Sequence, residues 1–114
     1  MSFMVLRTED EQRELLRIWD AQERELAEFT GNIADYLEQE VLEIKREQYL
    51  SDGKWLTTKY LLVTGLGGPH VEFDTDNKIS VFWAGRKQEY MTHDPRAVRT
   101  IDAIREELDV LAAN

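Results

Sequence analysis

At Gly53 the apolar spacing of this chain changes from a helical to a strand period, which restricts it to folds that pack helices on a sheet. Upstream, the apolar positions are Leu15, Leu16, Trp19, Leu26, Phe29, Ile33, Leu37, Val41 and Ile44. Their steps, mostly three, four or seven residues, keep them on one face of a helix. Thr8 followed by Glu11 reads as a capping box, a hydroxyl and a carboxylate that serve the orphan N–H groups of a first turn. The spacing predicts helix over residues 8–50, ended by Ser51-Asp52-Gly53. Thr30-Gly31-Asn32 interrupts it. Gly31 suits the position after a first helix, and Asn32 suits an N-cap with Asp35 three residues on. One helix kinked at Gly31 and two successive helices both fit the pattern.

Beyond Gly53, Trp55 to Thr64 is rich in β-branched and aromatic residues, which suit a pleated surface. His70 to Asp74 alternates, with Val71 and Phe73 opposite His70, Glu72 and Asp74. Ile79 to Ala84 reads as a strongly apolar strand, with Trp83 in the core, and Lys87 to Thr92 adds a short edge strand. Asp94-Pro95 starts a terminal helix, because Asp caps and proline at the first position loses no needed donor. Val98, Ile101, Ile104, Leu108 and Leu111 form its apolar face. The expected fold is α+β: a long N-terminal helix or helical hairpin, an antiparallel meander of three or four strands, and a C-terminal helix. Residues 1–114 read as a single domain, a length typical of one.

Charge is distributed unevenly. Residues 8–50 hold 13 Asp and Glu against 5 Lys and Arg, a balance of −8 out of the chain's −9. Such a field attracts basic surfaces and repels nucleic acid and anionic membrane. No basic stripe interleaves with aromatic residues, which disfavours direct nucleic-acid binding. Cysteine is absent, which excludes disulfides, thiolate zinc sites and cysteine nucleophiles. Met1 to Arg7 is too short and lacks the basic leader of a signal peptide. No apolar run approaches the ~20 residues of a membrane span, so a cytoplasmic location is expected.

Gly65-Leu66-Gly67-Gly68-Pro69-His70 invites a phosphate-loop reading, yet Pro69 removes a donor and a strand follows instead of a helix. The alternative is a conformationally special connection between strands. There Pro69 biases Gly68 toward extended geometry and leaves Gly67 as the positive-φ residue. His70, Glu72 and Asp74 share a strand face at roughly 6–7 Å spacing, which suits a solvated face better than a metal or acid–base site. Asp74-Thr75-Asp76-Asn77-Lys78 resembles the start of a calcium loop, but Lys78 stands where an oxygen ligand belongs, so an Asx-type turn is expected. His93-Asp94 has no nucleophile pattern nearby; neither Ser80 nor Thr92 sits in one. No catalytic residue, metal or cofactor is expected.

The stretch Tyr60-Leu-Leu-Val-Thr-Gly-Leu-Gly-Gly-Pro-His-Val-Glu-Phe73, with Val81-Phe82-Trp83 after it, resembles a pattern in small uncharacterised proteins of bacterial phages and plasmids. The resemblance covers about a third of the chain and implies a mobile-element setting. Accessory proteins of that setting often antagonise host defence, CRISPR and restriction systems included; several such inhibitors are small, acidic and cysteine-poor, and some mimic DNA charge.

The expected function is therefore that of a non-enzymatic binding or inhibitor protein. Its carboxylates Glu23, Glu25, Glu28, Glu38, Glu40, Glu43 and Glu47 face a basic surface on a protein partner, a nucleic-acid-binding effector. Trp55, beside Lys54 and a turn, is the candidate aromatic anchor. The long helix is also the surface through which a homodimer would form. The competing expectations are a small acid–base or metal-dependent enzyme built on His70, Glu72 and Asp74, and an accessory protein whose acidic face only keeps it in solution.

Overall fold

A computed structural model describes the backbone of residues 2–113 and the side chains of residues 9–113. The element order is α1 (Ser2–Ala27), α2 (Ile33–Gln39), β1 (Glu43–Ser51), β2 (Lys54–Gly65), β3 (His70–Asp74), β4 (Lys78–Trp83), β5 (Arg86–Met91) and α3 (Pro95–Ala113). The strands form one antiparallel sheet in the order β1-β2-β3-β4-β5. The fold is the expected α+β meander with helices at both ends, and the sheet carries one strand more than the sequence spacing indicates.

That extra strand corrects the helical reading of residues 43–50. Ile44 continues the phase of Leu37 and Val41, but it does so on β1, where it pairs with Leu62. Ser51-Asp52-Gly53 ends no helix. Asp52 (φ 51°) and Gly53 (φ 75°) form the two-residue turn of a hairpin in which Ser51 pairs with Lys54. Two consecutive positive φ angles match the right-handed twist of the flanking strands. The helical part is also divided: α1 stops at Ala27, and Asn32 caps α2 by accepting from the Asp35 N–H at 3.2 Å. Gly31 has no positive φ and so is not a left-handed C-terminal residue. Helix α1 begins upstream of Thr8, which therefore lies within it and not at its cap; the Thr8 side chain is outside the described residues.

The core lies between the helices and one face of the sheet. Leu15, Trp19 and Leu26 of α1 and Ala97, Ile101, Ile104 and Leu108 of α3 meet Tyr60, Leu62, Val71, Phe73, Ile79 and Val81 of the strands. Phe29, Ile33, Leu37 and Val41 pack against its edge. One buried hydrogen bond ties the helices to the sheet and a second ties the two long helices to each other. Trp19 Nε1 donates to the Ile79 carbonyl, and Thr100 Oγ1 donates to the Leu26 carbonyl at 2.7 Å. Trp83 is not in this core. It lies one residue beyond the last β3–β4 pair, His70 with Phe82, and is exposed at the end of β4. Asp94 caps α3 as the sequence indicates, accepting from the Arg96 N–H at 2.9 Å.

Candidate functional site

Strand β2 outruns the sheet. Only its Leu61–Gly65 end pairs with β3, while Lys54–Lys59 pair with β1 alone. The β1–β2 ribbon therefore extends past the packed body. At its end Leu50 faces Trp55 and Tyr49 faces Leu56. Neighbouring pairs on a ribbon point to opposite sides. Each side of this end thus carries an apolar pair, and all four residues are exposed, Trp55 at 65% and Leu50 at 59%. An antiparallel ribbon covered on one side normally alternates apolar with polar residues. Apolar residues on both sides in contact with water mark a surface suited to a partner.

The seven candidate carboxylates do not share one helical face. Glu23 is half-buried and accepts from Thr92 Oγ1 at 2.6 Å, which fastens α1 to the residue after β5. Glu28 is exposed near α3 and adds to the field around Arg96, whose charge is held mainly by its hydrogen bonds to Asp94. Glu38 is exposed on α2. Glu43 and Glu47 lie on β1, opposite Val63 and Lys59. Burial disfavours charge on Lys59, but Asp74, with Glu47 and Asp76 adding to it, overcomes this and raises its pKa. Glu25 of α1 and Glu40, the residue closing α2, come together and line the same two recesses. Burial, then the Glu40 charge, raises the Glu25 pKa above the ordinary carboxylate value.

The glycine-rich loop joins β2 to β3. Gly67 has φ 94°, as the position of Pro69 predicts, and Gly68 has no positive φ. A Cβ on Gly65 would lie 3.2 Å from the Pro69 carbonyl oxygen and 3.3 Å from Val71 Cγ2. Gly65 is thus a close-packing position and Gly67 a conformational one. Gly68 faces the β4–β5 turn across a recess shared with Phe82, Trp83 and Lys87.

On the sheet face away from the helices, His70 Nε2 and Glu72 Oε2 lie 3.0 Å apart, both half-buried. Asp74 departs from the expected solvated row. It is buried, accepts from the Asp76 and Lys78 N–H groups at 2.9 and 3.1 Å, and pairs with Lys59 Nζ at 3.3 Å. This is the expected Asx-type turn with an added ion pair. Among the described residues no three His, Asp or Glu side chains converge as a metal requires. Ser80 Oγ donates to Glu89 Oε1 at 2.9 Å. That bond, chiefly, lowers the Glu89 pKa, so the nearest base to Ser80 is a weak one.

Two features escaped the sequence reading. The ribbon was signalled by Asp52-Gly53, a strong two-residue hairpin marker. The meeting of Glu25 with Glu40 has no periodic signature, because it depends on the turn that carries α2 back along α1. No helix among the described residues is long and apolar enough to cross a membrane. Comparison with protein-family models, curated proteins and solved structures returns no match.

Proposed function

We propose that this chain is a non-enzymatic binding protein that seats the end of its β1–β2 ribbon on a protein partner, with carboxylates of α1, α2 and β1 turned to a basic surface. The observation that carries this reading is the two apolar cross-strand pairs, Leu50 opposite Trp55 and Tyr49 opposite Leu56, exposed on opposite sides of one ribbon end. A few anchors, Trp and Tyr prominent among them, supply most of the energy of protein interfaces, and charge complementarity supplies rate and specificity. The chain's net charge of −9 selects a basic partner. A nucleic-acid-handling effector of host defence is the partner class that joins this charge to the mobile-element resemblance.

The test is affinity capture from host lysate with the wild-type chain and with the double variant Leu50→Ser, Trp55→Ala. The variant should keep its melting temperature and lose the partner, since truncating a central anchor costs about 2 kcal/mol or more, roughly thirty-fold in affinity. Capture by the wild-type chain should weaken from low to high salt. A partner retained equally by both chains would sink the reading, as would capture indifferent to salt for its electrostatic half.

A further inference from the structure

The outer edge of β1 is unpaired along its length. Every residue of Glu43–Ser51 except Gln48 and Ser51 is exposed, and among the described residues β2 is the one strand bonded to it. The opposite edge strand, β5, has six residues and is tied to α1 by the Arg86–Glu11 ion pair and the Trp19–Tyr90 ring contact. Edges are commonly blunted by shortness, by proline or by a bulge on the edge strand itself. β1 has nine residues and no proline. The bulge in its pairing lies on β2, where Thr58 falls between the partners of Glu47 and Gln48. A two-stranded ribbon alone is marginally stable, so this edge gains from a further strand.

The register of such a strand follows from the hairpin. Ser51 and Lys54 close a two-residue turn, so their backbone groups bond to each other. Residues alternate from there, which turns the N–H and C=O of Leu50, Gln48, Arg46 and Ile44 outward. Outward groups pair only with outward groups. For β1 of a second copy, antiparallel about a two-fold axis, the register centred on Glu47 pairs the whole strand with itself. It sets Ile44 opposite Leu50 and Arg46 opposite Gln48, each twice, for about eight backbone hydrogen bonds. Ile44 and Leu50 are 41% and 59% exposed in the single chain. Their pairing completes an apolar row on the helix side, from the core residue Leu62 through Ile44 of one copy to Leu50 and Trp55 of the other. On the other side the two Glu47 carboxylates meet at the axis, each flanked by Lys59 on β2 and diagonally by Lys45 of the other copy. Centring on Arg46 instead opposes two guanidinium groups whose strand neighbours on that side, Ile44, Gln48 and Tyr60, carry no charge.

We propose that the chain forms a two-fold dimer through antiparallel pairing of β1 with β1 of a second copy, with Glu47 at the axis. The joint makes one continuous sheet of the two. Trp55 and Leu56 lie on β2, one strand back from the joint, and stay open to a foreign partner. The inference therefore goes beyond the binding reading and does not depend on it.

Sedimentation of the full chain should show a monomer–dimer equilibrium with a dissociation constant on the order of 10 μM, as a small and partly polar interface gives. Arg46→Pro removes an outward N–H and leaves the β1–β2 ladder whole, so it should be monomeric with the wild-type circular dichroism spectrum. Cysteine variants report the register, because the chain has no cysteine of its own. Opposite residues of a non-hydrogen-bonded pair have Cα atoms about 4.5 Å apart, so Glu47→Cys should oxidise to a disulfide-linked dimer. Arg46→Cys, diagonal to its copy at about 7–8 Å, should not. A wild-type chain monomeric at about ten times that dissociation constant would overturn the inference. So would a folded Arg46→Pro chain that still dimerises, or Arg46→Cys cross-linking as fast as Glu47→Cys. If Arg46→Pro does not fold, the two cysteine variants decide. No foreign partner enters these measurements, so their failure leaves the binding reading standing.

Discussion

The indole Nε1 of Trp19 donates to the backbone carbonyl of Ile79 at 2.8 Å, a buried bond that joins α1 to the interior strand β4. The same ring meets Tyr90 edge-on at 6.1 Å between centroids. One side chain thus contacts two neighbouring strands, β4 and β5.

Trp19→Phe should therefore destabilise the chain beyond its lost area. It removes one of the donors to a carbonyl on interior strand β4, where Ile79 is paired with Tyr90, so the loss is that of one buried hydrogen bond, about 1 kcal/mol. Urea denaturation should show a lower midpoint with an unchanged slope. A midpoint equal to wild type would mean that the indole bond contributes nothing net to stability.

Asp74→Ala should be more damaging than either His70→Ala or Glu72→Ala. Asp74 serves two turn N–H groups and Lys59 from a buried position, and its loss strands all three, costing about 2–4 kcal/mol. Thermal unfolding of the three variants gives the order directly. Near-equal, small losses would return Asp74 to the solvated role that its strand alternation suggests.

The glycines of the β2–β3 loop should separate by mechanism. Gly67→Ala meets open space but keeps φ 94°, so its cost, about 1 kcal/mol or more, is purely conformational. Gly65→Ala should cost through contact with Pro69 and Val71, and Gly68→Ala should cost least. Denaturation curves for the three variants decide it. A Gly68 variant as unstable as the Gly67 one would contradict the backbone angles.

Glu25→Gln should stabilise the chain at neutral pH. The folded state raises the Glu25 pKa, through burial first and Glu40 second, so the ionised form is the less favoured one. A raised carboxylate contributes full stability below its unfolded pKa, near 4.3, and loses it as pH rises through the folded value. The gain from Gln, on the order of 0.5 kcal/mol at a partly exposed site, should be present at pH 7 and vanish on acidification below that range. Melting temperatures across that interval measure it. A gain that persists at low pH would come from something other than charge.

The legible parts of this chain are those whose local pattern agrees with their tertiary surroundings. Strands β2 to β4 carry alternation or β-branched runs, Asp94-Pro95 starts α3, and Pro69 fixes which glycine turns. Strand β1 was obscured because Ile44 falls in phase with Val41 and Leu37, and because its other residues, Lys45, Arg46 and Glu47 among them, have little strand preference of their own. Pairing with β2 makes it a strand. Trp83 reads as core from its apolar neighbours, but burial depends on β3 reaching it, and β3 stops one pair short. At the candidate site, Trp55 was legible as a large apolar residue beside a turn. The partners of Glu23 and Glu25, namely Thr92 and Glu40, lie across chain reversals that periodicity does not encode.

The Lys54–Lys59 half of β2 has one hydrogen-bonding neighbour strand where the Leu61–Gly65 half has two. A two-stranded ribbon alone is marginally stable in water. Opening of the ribbon end consequently requires no rupture of the core, and its amides should exchange with solvent through a local excursion far cheaper than global unfolding. A protein seated there would close that excursion. Part of its binding free energy would go into ordering the ribbon, and the ribbon amides would slow in exchange while those of β3 and β4 keep their rates. The extension of β2 beyond β3 thus makes the ribbon end both the least protected part of the sheet and the segment on which occupancy can be read.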